Sequence, residues 1–252
     1  MSLRKILLTG ASGFLASFVI ERLRENYQLT LFDRADPRAE FADLPFIAGD
    51  ITDLEMVERA CENQNAVVHL VALVRDRHGM PPTAYCDVMV KGTWNVAEAC
   101  ARQKVKRLVN VSSVVANGWP VSQSTASPGD APTNFAPADL FYCLAKHLGE
   151  EIGAAYRQAH GLQVIHLRPG VLKGDGVNSE PQKPEGASLW FMHVDPRDVA
   201  QGIEAALETK LESGTFNLVA GRDDSLYNWR EAAEKMGYAP EYNWPHISTT
   251  QP

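Results

Sequence analysis

Apolar and polar positions along the chain fall into two alternating periods. Lys5–Leu8 is a short apolar run, the pattern of a buried strand. After Thr9-Gly10-Ala11-Ser12-Gly13, the residues Phe14, Leu15, Phe18, Val19 and Leu23 return at helical spacing as far as Asn26. Leu29–Phe32, Pro45–Ala48, Ala66–Leu70 and Arg107–Val111 repeat the strand pattern, while Tyr85–Gln103 and Asp139–His160 repeat the helical one. Residues 117–137 are rich in Pro, Ser, Thr, Asn and Gly, have no period, and predict a long surface loop beside a pocket. From Asp195 a helix runs to Glu208, followed by a strand at Thr215–Val219 and a helix at Leu226–Met236. The alternation predicts an α/β fold, a doubly wound parallel sheet covered on both faces.

Composition narrows the partners. A chain of 252 residues is long enough for one large α/β domain, alone or with a small appendage. Its net charge of −7 and its lack of a basic run argue against nucleic acid or an anionic membrane surface. No apolar stretch is long enough to span a bilayer, and Met1–Arg4 leaves no room for a signal peptide ahead of the first strand. Cys61, Cys86, Cys100 and Cys143 lack metal-type spacing. They read as reduced, packed thiols of a cytoplasmic protein, and no metal site is expected.

The order strand, glycine turn, helix at the start of the chain is the context of a dinucleotide fingerprint. Gly10 permits a tight turn, Gly13 lets the backbone approach a pyrophosphate at a helix N-terminus, and Ala16 stands at the third small position. Ser12, Phe14 and Leu15 belong to the same expected contact. Asp33 closes the second strand about twenty residues later, where a carboxylate accepts hydrogen bonds from ribose hydroxyls and repels a 2′-phosphate. Arg34 partly offsets that repulsion, so NAD is favoured over NADP. Asp50 and Ile51 follow the third strand, at the place for the adenine. Leu70, Val71 and Ala72 pass beneath the cofactor after the fourth strand. His69, in an apolar run, reads as a satisfied core histidine.

Chemistry enters at the far end of the same region. Tyr142 and Lys146, one helical turn apart, share a helix face. A neighbouring ammonium lowers a phenol's pKa from its usual value near 10, which suits proton exchange with a substrate hydroxyl. Ser113 ends the fifth strand, at the carboxyl edge where open α/β sheets place ligands, and can hold the substrate oxygen. Ser112 or Ser113 can equally cap a turn.

Together the pieces TGASGFLA, DR at Asp33, GDITD, VHLVA, KGTWNVAEAC, NVSSVVANG, YCLAK, LRPG and HVDPRDVA resemble the extended short-chain dehydrogenase/reductase family, the NAD-dependent epimerase/dehydratases, across nearly the whole chain. The resemblance implies a Rossmann domain over residues 1–170 and a small substrate-side region over 171–252. It also implies that Ser113, Tyr142 and Lys146 are catalytic, that Lys146 and Tyr142 meet the nicotinamide end of NAD, and that the 85–103 and 139–160 helices form a homodimer. Where dehydratases of the family carry an acid and a base, Val114 and Val115 cannot transfer protons, so dehydration is not expected. Met89 stands where the family usually has Asn, and Asn117 where it often has Tyr. His193 and Asp195 match a motif that orders the scaffold.

Only about two dozen residues separate Arg168 from His193, too few for the insertion with which nucleotide-sugar enzymes grip their substrates. A small sugar, sugar acid or related secondary alcohol fits better, and the compact form resembles the uronate dehydrogenase branch. Val74, Arg75, Val114 and Arg168 are the candidate substrate contacts beside Ser113. Arg75 and Arg77 are equally well read as solvated, and Arg168 as structural. The function expected is hydride transfer between NAD and such a substrate. The alternatives are epimerisation of a (nucleotide-)sugar and a non-catalytic dinucleotide-binding regulator.

Overall fold

Residues 4–73, 80–118, 135, 140–172, 192–223, 225 and 227–242 are described by the computed structural model. Seven strands form one parallel sheet: β1 (Lys5–Thr9), β2 (Gln28–Asp33), β3 (Phe46–Ala48), β4 (Ala66–His69), β5 (Arg107–Val111), β6 (Gln163–Pro169) and β9 (Ser213–Leu218), in the order β3-β2-β1-β4-β5-β6-β9. Two short strands, β7 (Val171–Leu172) and β8 (His193–Val194), pair separately. The helices are α1 (Phe14–Leu23), α2 (Leu54–Cys61), α3 (Pro82–Tyr85), α4 (Gly92–Arg102), α5 (Leu140–His160), α6 (Pro196–Glu208) and α7 (Arg230–Met236).

Strand periodicity divides the core in two. Ile6 and Leu8 of β1, Val68 of β4, Val109 and Val111 of β5, and Ile165 and Leu167 of β6 join the cluster under α1 and α6. Their neighbours Leu7, Val67, Leu108 and Val164 point the other way, onto α2 and α4 with Val57, Val96 and Cys100. Burial on both faces is what a parallel sheet demands, and it explains why β1, β4 and β5 read as largely apolar runs. Cap residues fix the helix starts. Asp53 accepts from the Met56 N–H ahead of α2, and Asp195 accepts from the Arg197 N–H ahead of α6. Gly237 ends α7 in the left-handed region at φ 84°.

The predicted fold class holds, and several boundaries shift. The helix expected from Tyr85 starts at Pro82, where Pro takes the first helical position, and Cys86–Lys91 widens into a π-helical stretch before α4. The last helix begins at Arg230 rather than Leu226, because Tyr227 turns into the apolar cluster of Val114, Val115, Cys143, Met192 and Val219. Cys61, Cys100 and Cys143 are buried, whereas Cys86, expected to be packed, is exposed on the π-helical stretch.

Candidate active site

Strand order reverses between β1 and β4, and a cleft of about 170 Å³ opens there at the carboxyl ends of the strands. Gly10 and Gly13 form one wall, Leu70, Val71 and Ala72 another, and Asp33, Arg34, Asp50 and Ile51 the outer rim. Gly10 has φ +76°, and a Cβ there would stand 2.8 Å from the Val71 amide nitrogen, so only glycine lets the two loops close. Gly13 caps α1 with no side chain, leaving the helix's first N–H groups directed at the turn. Ser12 ties the turn to β2: its N–H donates to Asp33 Oδ2 at 3.0 Å, and its hydroxyl donates to the Ala35 carbonyl at 2.6 Å. Asp33 Oδ1 also accepts from the Arg34 and Ala35 amides at 2.7 and 3.2 Å. The carboxylate is therefore fixed, with one lone pair, on Oδ2, left for a hydroxyl donor.

Asp50 accepts from the Thr52 N–H at 2.9 Å, and that bond holds its carboxyl below the usual range against the opposing effect of burial. Arg34 reaches Asp50 at 3.7 Å across the rim. Ile51 is buried against Gly92, where a Cβ would meet it at 2.9 Å. Phe14 is exposed and Leu15 packs on the core, so of the expected cofactor residues these two, Ser12, Tyr142 and Lys146 stand outside the cleft walls. Phe32, Leu73 and Val88 line the cleft and carried no motif of their own, and Gly49 lines it without having been named as a contact. Gly49 had a visible signal in GDITD, since a Cβ there would strike the Phe32 ring at 2.5 Å. The glycine cradle and anion-ready helix end fit a dinucleotide.

The second group lies farther along the same edge. Ser113 stands two residues past the end of β5 and caps a short 3-10 turn, Val114–Asn117, its Oγ accepting from the Val115 N–H at 3.4 Å. Tyr142 and Lys146 occupy successive turns of α5. Lys146 Nζ donates to the Val111 carbonyl at 2.7 Å and stands 6.0 Å from the Tyr142 ring centre. That bond draws the lysine to within two residues of Ser113. Burial pushes the Lys146 ammonium down to about 8, with Glu150 pulling the other way. Tyr142 sits between two apolar clusters, one around Val114, Val115 and Cys143 and one around Tyr85, Met89 and Ala145.

The remaining candidates divide. Val114 is buried in its apolar cluster. Arg168 is buried, with Nε on Glu150 Oε1 at 2.8 Å and an Nη on Asn117 Oδ1 at 2.9 Å, an engagement that matches the structural alternative. Val74, Arg75 and Arg77 lie outside the described residues, as does most of the 117–137 segment. His69 is buried between Thr9 Oγ1 at 2.7 Å and Thr93 Oγ1 at 3.1 Å, and burial, then the Lys146 charge, push it down to about 3. It is thus a neutral core histidine. His193 is buried on β8, and Asp195 caps α6 while pairing with Arg197. Glu150 was missed altogether, although it repeats the four-residue step from Tyr142 to Lys146 once more. Among the described residues no cluster of three metal-ligating side chains occurs, and no helix is long and apolar enough to cross a membrane.

The profile of the NAD dependent epimerase/dehydratase family matches residues 6–193. L-arabinose 1-dehydrogenase (NAD(P)(+)) of Haloferax volcanii is 28% identical, over 95% of this chain and 97% of that protein. UDP-glucose 4-epimerase of Vibrio cholerae is 29% identical, over 70% of this chain and only 54% of that protein. The crystal structure of uronate dehydrogenase from Agrobacterium tumefaciens superposes with a TM-score of 0.82 at 20% identity, over 100% of this chain and 91% of the other.

Proposed function

The chain belongs to the NAD-dependent epimerase/dehydratase family, and from that premise we propose that it is an NAD-dependent dehydrogenase of a small, free sugar or sugar acid. One observation carries the reading. A buried lysine, docked on the Val111 carbonyl beside Ser113 and beneath the Tyr142 ring, shares a sheet edge with a glycine-lined dinucleotide cleft. Chain length supports the choice of substrate, since the chain spans nearly all of the arabinose dehydrogenase but about half of the nucleotide-sugar epimerase. We further propose that residues 1–170 hold NAD and the Ser-Tyr-Lys set and that 171–252 shape the substrate side. The latter region is continuous with the former through β9, which extends the main sheet, and α6, which packs on α1.

NAD, bound along Gly10, Gly13, Asp33 and Asp50, supplies the hydride acceptor that side chains lack. The chain's own residues do the rest. Ser113 holds the substrate oxygen, and Tyr142 takes its proton as general base. The Lys146 ammonium makes that possible by favouring the phenolate. Val114 and Val115 offer no second proton carrier, which restricts the site to oxidation and reduction. Arg34, exposed beside Asp33, leaves NADP as a weaker second cofactor. A cytoplasmic location accords with four cysteines that no disulfide joins. The stripe Leu140, Phe141, Leu144 and Leu148 on α5, exposed next to Trp94 on α4, supports the homodimer through these helices.

The test is a panel of pentoses, hexoses, uronates and nucleotide-sugars, assayed for NADH formation with NAD and NADP. Tyr142→Phe is expected to keep NAD affinity and lose about a hundredfold or more in turnover. Undiminished turnover of the cognate sugar would refute the role. An isomerised product without net NADH would replace dehydrogenation by epimerisation.

A further inference from the structure

A buried ion pair lies directly beneath the lysine of the candidate active site. Glu150 follows Lys146 by one turn, and both side chains leave α5 on its buried side. Arg168 meets Glu150 from β6 through two nitrogens, Nε at 2.8 Å and an Nη that also reaches Asn117 Oδ1 at 2.9 Å. The paired side chains are 5% and 8% exposed, so the interaction is shielded from water and salt. Asn117 closes the turn that begins at Ser113, which makes the pair a brace linking α5, β6 and the loop that carries the serine.

We propose that Glu150 is a positioning residue for Lys146: held ionised by Arg168, it keeps the neighbouring ammonium charged and seated on the Val111 carbonyl. The proposal rests on the reading above, in which that ammonium serves Tyr142. An ammonium taken out of water neutralises unless an opposite charge stands close by. The groups facing Lys146 are Tyr142 and Glu150 on its own helix and His69 from β4. Those facing Glu150 are Arg168 and His166 from β6 and the Ser112 hydroxyl after β5. His69 and His166 are neutral, pushed by burial to about 3 and about 4, which leaves Glu150 as the one anion in the set. Burial alone would raise the Glu150 carboxyl, but the Arg168 hydrogen bonds and charge outweigh it and hold the group below its usual range. Without Arg168 the carboxylate would protonate, and without Glu150 the lysine would lose its proton at lower pH.

The competing account is that the pair only staples α5 to β6, and a pH profile separates the two. Glu150→Gln keeps an amide oxygen for Arg168 and removes the charge. With the sugar identified by the panel, the alkaline limb of kcat/KM is expected to move down by about one pH unit. At fixed pH, kcat falls while KM for the sugar holds. The double variant Glu150→Gln/Arg168→Met removes the unpaired Arg168 charge that the single variant leaves and is expected to shift the limb the same way. If both variants keep the parent limb and only melt at lower temperature, the pair is a staple and the proposal is overturned. Lys146→Met tests the underlying reading on its own, since full activity there removes the lysine's role whatever the Glu150 variants do.

Discussion

Tyr227 shows what a tightly packed apolar cluster asks of a single residue. Its ring fills the apolar cluster of Val114, Val115, Cys143, Met192 and Val219, yet its hydroxyl is buried with no hydrogen-bond partner among the described residues. Burial pushes the phenol well above its ordinary range, so it stays protonated. A buried hydroxyl left unpaired costs roughly 1–3 kcal/mol. Tyr227→Phe keeps the ring, removes the cost, and is expected to raise stability to denaturant by about 1 kcal/mol or more. A loss of stability would mean that the hydroxyl has a partner. Asp33 illustrates the opposite condition. Its two oxygens accept from the Ser12, Arg34 and Ala35 amides, so the carboxylate expected from its place after the second strand is held in one position.

Among the elements, those with a strong period were legible and those defined by contact were not. The runs at Lys5–Leu8, Ala66–Leu70 and Arg107–Val111 became β1, β4 and β5 because burial on both faces makes most of their positions apolar, the few polar ones being buried as well. The glycine turn was legible because Gly10 answers to a local backbone need. Glu150 was not, because a charge on a buried helix face makes sense only once Arg168 arrives from a strand eighteen residues later. The π-helical stretch Cys86–Lys91 likewise has no composition that separates it from a helix. Helix α5 combines both cases. Its inner face carries Lys146, Gly149, Glu150 and Gly153, while its outer face exposes Leu140, Phe141, Leu144 and Leu148. Tyr85 stacks on Phe141 at 6.5 Å between ring centres, tying this outer stripe to α3. If the stripe is a dimer seam, Leu144→Glu buries a charge there and is expected to weaken self-association at least about tenfold, read by sedimentation. An unchanged monomer–dimer balance would place the seam elsewhere.

At the scale of the whole molecule, the polar groups sealed inside the sheet set how it responds to acid. His166 is bonded to Asn110 at 3.0 Å and burial pushes it down to about 4, while His69 is pushed to about 3. Both groups have folded pKa values below the 6.5 of an unfolded histidine. The stability they contribute is therefore complete above that value and is lost as pH falls toward their folded pKa. Each is worth on the order of 3 kcal/mol at full protonation, a large share of a typical domain's stability. Asp198 works against them. Burial raises its carboxyl to about 6, even though it accepts from the Glu241 and Tyr242 amides at 2.9 and 3.1 Å, so it favours the fold as pH drops from 6 toward 4. Two histidines against one carboxyl leave acid destabilising the fold, with the steepest loss between about pH 6 and 4. Urea midpoints measured from pH 8 to 4 are expected to fall across that window, and His166→Asn to flatten the fall. A midpoint that stays level to pH 4 would show that the histidines protonate without unfolding the sheet, and with it that the interior beneath Lys146 admits charge more readily than its burial implies.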